Sequence, residues 1–142
     1  MKLSQSLRVA LITAGLTIPS TLADFIIIQD LGSPGAIGVG QILLACPANY
    51  YNCDCMLNGN RRADGMGMTS EPVFSVKGGL CGMGQLNFYQ QSDGHWDLYV
   101  NNGDGSLQGR CYGDSRRSMC PNPPYAIDFL NQMVCYSHIC GN

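Results

Sequence analysis

The feature that most constrains this chain is its set of eight cysteines among 142 residues: Cys46, Cys53, Cys55, Cys81, Cys111, Cys120, Cys135 and Cys140. An even number of cysteines in a short exported chain predicts a disulfide framework, so we expect four bridges. Eight cysteines allow about 105 pairings, and the sequence leaves the connectivity open. Zinc is the competing use of such residues, but the chain has no CxxC pair, and we expect no metal and no other cofactor.

The first 23 residues have the composition of a secretory signal. Lys2 and Arg8 make the start basic, residues 9–18 are apolar, and Thr21-Leu22-Ala23 is a small-residue cleavage site. The apolar run is shorter than the roughly 20 residues that a membrane-crossing helix needs, so no membrane span is expected. The sequence therefore predicts a signal peptide at residues 1–23 and one secreted, extracellular, cysteine-rich domain at residues 24–142.

The charge of residues 24–142 argues against two classes of partner. This part of the chain carries six basic and ten acidic residues, a net charge of −4 (6 − 10). Nucleic acids are bound by surfaces rich in Lys and Arg, so no nucleic-acid partner is expected. A toxin that disrupts anionic membranes would also need a basic face. The oligomeric state stays open.

Short runs of alternating apolar residues, separated by turn residues, predict an antiparallel meander between residues 73 and 112. The predicted strands are Val73–Lys77, Gln85–Gln90, His95–Val100 and Leu107–Tyr112. Upstream, the β-branched run Phe25–Ile28 predicts a buried strand and residues 39–45 predict a second one. Residues 47–69 are rich in Asn, Gly, Arg and Asp and are predicted to form a long irregular loop.

A helix is predicted for residues 123–137 at the C-terminal end of the domain. Asn122-Pro123-Pro124 resembles an N-cap followed by proline in the first turn. Ile127, Leu130 and Val134 follow at the i, i+3, i+7 spacing of one helix face. The predicted fold class is therefore α+β: a disulfide-stapled antiparallel sheet packed against one C-terminal helix.

Strand alternation divides the meander into an apolar face and a polar, aromatic face. The apolar face is predicted to form the core with Leu86, Phe88, Trp96, Leu98, Val100, Leu107 and Cys111. The opposite face is predicted to hold the binding residues Tyr89, His95, Asp97, Tyr99, Arg110 and Tyr112. Aromatic and arginine side chains dominate protein-binding hot spots. A solvated sheet face shows the same alternation without binding anything, so both interpretations stand.

Catalytic residues are not predicted, because the chain has few groups that transfer protons. A secreted ribonuclease would need a His or Glu base, a His acid and a cation at the phosphate. The candidates for those roles are His95, His138, Glu71, Arg110 and Lys77, but the sequence shows no geometry that unites them. The triplet Tyr51-Asn52-Cys53 resembles the Tyr-x-Cys signature of RNase-like fungal effectors.

As a class, the chain resembles the fungal small secreted cysteine-rich proteins that act as effectors. The resemblance rests on the short signal, the domain of about a hundred residues and the even cysteine count. It implies a virulence effector without catalytic activity, which binds a host protein or receptor and modulates host immunity in the apoplast or after uptake into host cells. An antimicrobial or killer-toxin-like protein and a secreted RNase-like protein are the alternatives. Among effector families, a sheet with a helix suits the killer-toxin-like and LARS effectors better than the all-β Alt a 1 barrel.

Overall fold

The computed structural model describes residues 23–32, 42–58, 62–64 and 72–141, and residues 1–22 of the predicted signal peptide lie outside this part of the chain. The described residues form one antiparallel sheet of nine strands: β1 (Phe25–Gly32), β2 (Ile42–Pro47), β3 (Arg62–Asp64), β4 (Val73–Val76), β5 (Leu86–Gln90), β6 (Trp96–Val100), β7 (Gly109–Gly113), β8 (Arg117–Asn122) and β9 (Tyr125–Ser137). One helix, α1 (Cys53–Asn58), and two 3-10 turns, Ala48–Tyr50 and Leu80–Gly82, complete the described elements.

The sheet curls into a nearly closed barrel. Its strands follow one another in the order β1 to β7, then β9 and β8, and β9 also pairs with β1, so the sheet closes between β1 and β9. The strand pairing is shortest at β3, which lies between β2 and β4 and is held by two residue pairs on each side. Among the described strands, β8 pairs with β9 alone and so keeps one free edge.

The predicted meander is confirmed as β4 to β7, with each strand beginning within two residues of its predicted start. The predicted core positions Leu86, Phe88, Trp96, Leu98 and Cys111 are buried in the barrel, and Val100 packs against them. Leu107 departs from the prediction: it precedes β7 and is 43 % exposed.

The predicted C-terminal helix is wrong, because residues 125–137 form the 13-residue strand β9. Phe129, Asn131, Met133 and Cys135 are its buried positions. A register shift between Met133 and Asn131 marks a β-bulge, so Met133 and Cys135 point into the barrel while Phe129 joins an apolar cluster outside it. The fold is therefore mostly antiparallel β rather than α+β. The preference for effector families with a sheet and a helix loses its basis with the helix.

The two prolines that resemble a helix start form the turn of the β8–β9 hairpin instead. Asn122 pairs with Tyr125 across this turn, and the Pro123-Pro124 peptide bond is cis. Proline has no N–H to donate, which a turn tolerates and a strand interior does not. The same pair of residues therefore suits a hairpin turn as well as a helix start.

The prediction that the eight cysteines form four disulfide bonds is confirmed. The pairs are Cys46–Cys55, Cys53–Cys120, Cys81–Cys140 and Cys111–Cys135. Cys135, which lies on β9 rather than on a helix, faces its partner directly across β7 and β9 with a Cα–Cα distance of 4.0 Å.

Strand β1 is buried on both of its faces, as its run of Phe and Ile predicts. Phe25 and Ile27 belong to the cluster that fills the barrel, while Ile26 and Ile28 point outward into the second apolar cluster, which also contains Phe129. The side chains inside the barrel cover the inward face of β1. Its outward face is also apolar and needs a second cover.

Helix α1 covers this second cluster. Its Met56 is buried in this cluster, with its Sδ 3.6 Å from Cys120 Sγ on β8, and Asn52 caps the start of α1 by accepting a hydrogen bond from the Cys55 N–H at 3.1 Å. Cys55 and Cys53 tie the helix to β2 and to β8. Residues 47–69 are thus not one irregular loop, since they include both α1 and β3.

Candidate binding site

The six predicted binding residues come together on the outer face of β5, β6 and β7. Strand register places Tyr89 opposite Asp97, and Asp97 opposite Arg110. Arg110 in turn lies opposite Tyr136 on β9, which completes a row of four side chains across four strands. We call this surface the tyrosine face; it comprises Tyr89, His95, Asp97, Tyr99, Arg110, Tyr112 and Tyr136.

At the centre of the tyrosine face, Asp97 accepts hydrogen bonds from two neighbours. His95 Nε2 lies 3.1 Å from Asp97 Oδ1, and Arg110 Nε donates to the same oxygen at 3.2 Å. The side chains of His95 and Asp97 are each 15 % exposed, whereas that of Arg110 is 52 % exposed. Asp97 therefore orients the guanidinium through Nε, while more than half of the Arg110 side chain stays accessible to a ligand.

The second ring nitrogen of His95 faces a second carboxylate. Nδ1 lies beside Asp93 Oδ1 in the preceding turn, and the backbone N–H of His95 also donates to that oxygen at 3.3 Å. Desolvation opposes ionisation of Asp93, but the backbone hydrogen bond and the charge of His95 outweigh it and hold the pKa of Asp93 below its usual value. Each nitrogen of the His95 ring is thus occupied by a carboxylate.

The tyrosine rings lie in edge-to-face pairs around this centre. Tyr89 and Tyr99 have ring centroids 5.7 Å apart, and Tyr112 and Tyr136 have theirs 6.0 Å apart. The His95 ring lies 5.9 Å from that of Tyr112. Such pairs restrict ring motion and stabilise cross-strand contacts, yet Tyr89, Tyr112 and Tyr136 remain 39 %, 47 % and 42 % exposed.

A network of hydroxyl and amide groups borders the tyrosine face on β4 and β5. Ser75 Oγ donates to Asn87 Oδ1 at 2.9 Å, and Gln85 Nε2 donates to the same oxygen at 2.8 Å. Asn87 Nδ2 continues the network to Asn101 Oδ1 at 3.1 Å, and Asn87 lies opposite Tyr99. From β4 towards β7, the outer surface therefore carries hydrogen-bonded amide side chains first, then tyrosine rings, and then the ion-paired Arg110.

Gly109 allows β7 and β9 to approach closely next to Arg110 and Tyr136. A Cβ atom at Gly109 would collide with the Tyr136 carbonyl oxygen and with the side chain of Ser137. Glycine in a strand often marks such a close approach of two backbones. This contact places the β9 part of the tyrosine face beside the β7 part.

Two residues that contribute to this site are absent from the predicted set. Tyr136 lies within the predicted helix, although continuing the alternation from Cys135 would place it on the outer face. Asp93 lies in the turn before β6, where its carboxylate contacts His95. Of the ribonuclease candidates, His95 and Arg110 share Asp97 as a partner, His138 is exposed beyond β9, and Glu71 lies outside the described residues.

The triplet Tyr51-Asn52-Cys53 has structural contacts at each of its positions. The Tyr51 hydroxyl donates to Asn131 Oδ1 at 2.6 Å and lies 3.1 Å from Ser118 Oγ. Asn52 caps α1, and Cys53 is bonded to Cys120. The triplet therefore fastens the α1 segment to the β8–β9 hairpin.

Asp114, in the connection between β7 and β8, adds further hydrogen bonds to the β8–β9 hairpin region. It accepts hydrogen bonds from Asn131 Nδ2 at 2.8 Å and from Arg116 Nε at 2.9 Å. Partial burial opposes ionisation, but the hydrogen bonds from Arg116 and Asn131 outweigh it and lower the pKa of Asp114 to about 2. The carboxylate is thus ionised over the physiological range and links the β7–β8 connection to Asn131 on β9.

No protein-family model, curated protein or solved structure matches this chain. Within the part of the chain that the structure describes, no group of three or more His, Cys, Asp and Glu side chains is arranged to hold a metal ion. The described helices include none that is long and apolar enough to cross a membrane. Four disulfides are typical of extracellular proteins.

Proposed function

We propose that this chain is a secreted virulence effector that binds a host protein or receptor through the tyrosine face and modulates host immunity without catalysing a reaction. The place of action is the host apoplast, where disulfides persist. The cysteine framework and the signal-like N-terminal sequence support secretion, and the class resemblance to cysteine-rich effectors supports the host target.

The observation that carries the proposal is the set of exposed tyrosines around an arginine that is already held in place. Tyr and Arg supply much of the energy of protein–protein interfaces. Binding loses less free energy to ordering when such side chains are restrained beforehand. Asp97 restrains Arg110, and the ring pairs restrain the tyrosines, so the face is organised before any partner arrives.

The geometry around His95 supports a binding role over acid–base catalysis. A general base needs a free nitrogen within reach of the substrate proton. Both His95 nitrogens face carboxylates, and the ring is 15 % exposed. The contacts of His95 therefore serve to position Asp97 and, through it, Arg110.

The test is an affinity comparison on a host target. The wild-type protein is immobilised, retained apoplastic proteins are identified by mass spectrometry, and the dissociation constant of the leading one is measured for Arg110→Ala and Tyr112→Ala. We expect each substitution to weaken binding about tenfold or more, as hot-spot truncations do.

The matched controls are Leu107→Ser and Tyr50→Ala, which change side chains of comparable exposure outside the tyrosine face. These variants should bind as the wild type does. Equal affinity for the face variants and the controls would remove the tyrosine face from the function.

The enzyme alternative is tested with RNA. Wild-type protein and a His95→Ala/His138→Ala double variant are incubated with RNA, and cleavage is followed by electrophoresis. We expect no cleavage that depends on the histidines, since a ribonuclease using either one would lose orders of magnitude in rate. Cleavage by the wild type that the double variant loses would replace the binding proposal with the ribonuclease.

A further inference from the structure

The His95 ring of the tyrosine face lies between two carboxylates, and this placement limits what each protonation state of the ring can do. Nε2 lies 3.1 Å from Asp97 Oδ1, and Nδ1 lies against Asp93 Oδ1. A neutral imidazole has one N–H and one nitrogen with a lone pair, whereas an imidazolium has two N–H groups. Only the imidazolium therefore offers a proton to both carboxylates. In the neutral ring, one lone pair would face the lone pairs of a carboxylate, so one of the two contacts has to open.

The two contacts differ in how easily they open. The Asp97 side chain is 15 % exposed and also accepts a hydrogen bond from Arg110 Nε at 3.2 Å, so it is held from two sides. The Asp93 side chain lies in the turn before β6 and is 67 % exposed, so water can replace the His95 ring there. We therefore expect the neutral ring to keep its proton on Nε2, towards Asp97, and to give up the contact with Asp93.

The other neighbours of the His95 ring add no further charge. The Tyr112 ring on β7 lies 5.9 Å from it, centroid to centroid. Just after β5, the uncharged Gln91 donates its backbone N–H to the His95 carbonyl at 2.8 Å. Within the described part of the chain, the charged groups around the ring are Asp93 in the turn, Asp97 on β6 and, through Asp97, Arg110 on β7.

The protonation state of His95 sets the net charge around Arg110. Aspartate is ordinarily ionised above about pH 5, so with an imidazolium the cluster has two cations and two carboxylates and is neutral. With a neutral ring the same cluster is negative. An imidazolium also takes up part of the charge of Asp97, which it shares with Arg110. The guanidinium, 52 % exposed, therefore attracts an anion more strongly when His95 is protonated.

From this arrangement we propose that His95 is a pH switch for the tyrosine face. In the protonated state, the ring holds both carboxylates and Arg110 binds an anionic group of the partner. When His95 loses its proton, the contact with Asp93 opens, the cluster becomes negative and the affinity for that group falls. Histidine ordinarily changes its charge between pH 5 and 8, so the face binds more tightly on the acidic side of this range. This inference rests on the proposed binding role of the tyrosine face.

The experiment measures the binding of sulfate to Arg110 at about pH 5.5 and about pH 8, on either side of the ordinary histidine titration. Sulfate keeps both of its negative charges over this range, so any change in its affinity comes from the protein. The Arg110 Nε–H resonance in a two-dimensional NMR spectrum reports binding at constant ionic strength, and the ring resonances of His95 report its protonation. We expect the dissociation constant to rise about fivefold from the lower to the higher pH, because one positive charge close to Arg110 is lost.

His95→Gln separates the charge of the ring from its hydrogen bonding, because glutamine donates a hydrogen bond but takes up no proton. Its affinity for sulfate should be the same at both pH values. The control is His138→Gln, at the other histidine of the chain, which is exposed beyond β9. This variant should keep most of the fivefold change. Thermal unfolding at both pH values checks that each variant is folded.

The proposal is overturned if sulfate does not shift the Arg110 resonance, if it binds equally at both pH values, or if His95→Gln keeps the change. The proposed function is read separately, from the affinity for a host protein retained on the immobilised wild type. An affinity that Arg110→Ala weakens but that is equal at both pH values would keep the binding role and refute the switch. A pH-dependent affinity for sulfate with no host protein retained would keep the switch of charge and refute the binding role.

Discussion

The outer surface of the barrel has two halves that differ in what covers them. On one half, apolar side chains from β1, β2, β8 and β9 form the second cluster, which is covered by α1, and two disulfides hold α1 in place. Over β5 to β7 the outward side chains are tyrosines and ion-paired groups that face water. Both halves belong to one continuous sheet. The chemistry of alternate residues thus decides where a sheet face needs a cover.

Helix α1 shows how a very short helix is held on the surface of a sheet. A helix of six residues is far too short to be stable alone. It buries Met56 and Cys55 and is bonded to two different strands. In the described part of the chain, the tyrosine face has no such cover. Its side chains pair with one another across the strands: Asp97 bonds His95 and Arg110, and the tyrosine rings pack edge to face.

The largest expected effect is in the covered half, at Phe129, which is fully buried in the second cluster. Phe129→Ala should lower the free energy of unfolding by about 3–5 kcal/mol, since it removes a large buried ring and leaves a cavity. Denaturant unfolding measures the change, with Tyr112→Ala on the open half as the comparison. A loss below about 1 kcal/mol would show that this cluster is not a core.

Removing the Cys53–Cys120 disulfide, which ties α1 to β8, should have the next largest effect on stability. Cys53→Ala/Cys120→Ala should destabilise the protein by about 3 kcal/mol, because the bond closes a separation of 67 residues in the unfolded chain. Cys46→Ala/Cys55→Ala, with a separation of 9, should cost less. Equal losses for the two pairs would contradict the loop-closure account. Mass spectrometry of the wild type should show no free thiol.

Acid should act at the boundary between the two halves, where Asp114 links the β7–β8 connection to Asn131 on β9. Its pKa is about 2 in the folded protein, below the roughly 3.9 of a free Asp, so its stabilisation is complete above pH 4 and is lost as the pH falls from about 4 to about 2. We expect a loss on the order of 2 kcal/mol over that window. Asp114→Asn should remove this part of the pH dependence and lower stability at neutral pH. Identical acid unfolding curves for the two proteins would refute the assignment.

The smallest effect on stability is expected on the tyrosine face. Tyr99→Ala and Arg110→Ala should each keep the free energy of unfolding within about 1 kcal/mol of the wild type, because surface truncations cost little. Arg110 is bound to Asp97 on an exposed surface, where ion pairs add little stability. Losses as large as that of Phe129→Ala would make this face structural and would weaken the proposed binding role.

Local pattern was sufficient for the meander and for most of the candidate site. The alternation in β5 to β7 places Phe88 and Leu98 inside and Tyr89, Asp97 and Arg110 outside, and the structure agrees. A strand's two faces follow from period 2 alone once turns such as Asp93-Gly94 set its ends. That is why six of the seven residues of the tyrosine face could be named from the sequence.

The sequence by itself determined that the cysteines would be paired, that residues 73–112 would form a meander and that Phe25–Ile28 would be a buried strand. Only the tertiary structure decided that residues 125–137 form a strand, which cysteines pair, and that the sheet closes. The physical reason is that these outcomes depend on partners distant in sequence. Residues 125–137 fit a helix by their local spacing, but pairing with β1 and β7 on their two edges, and the bulge that turns Phe129 toward α1, select the strand.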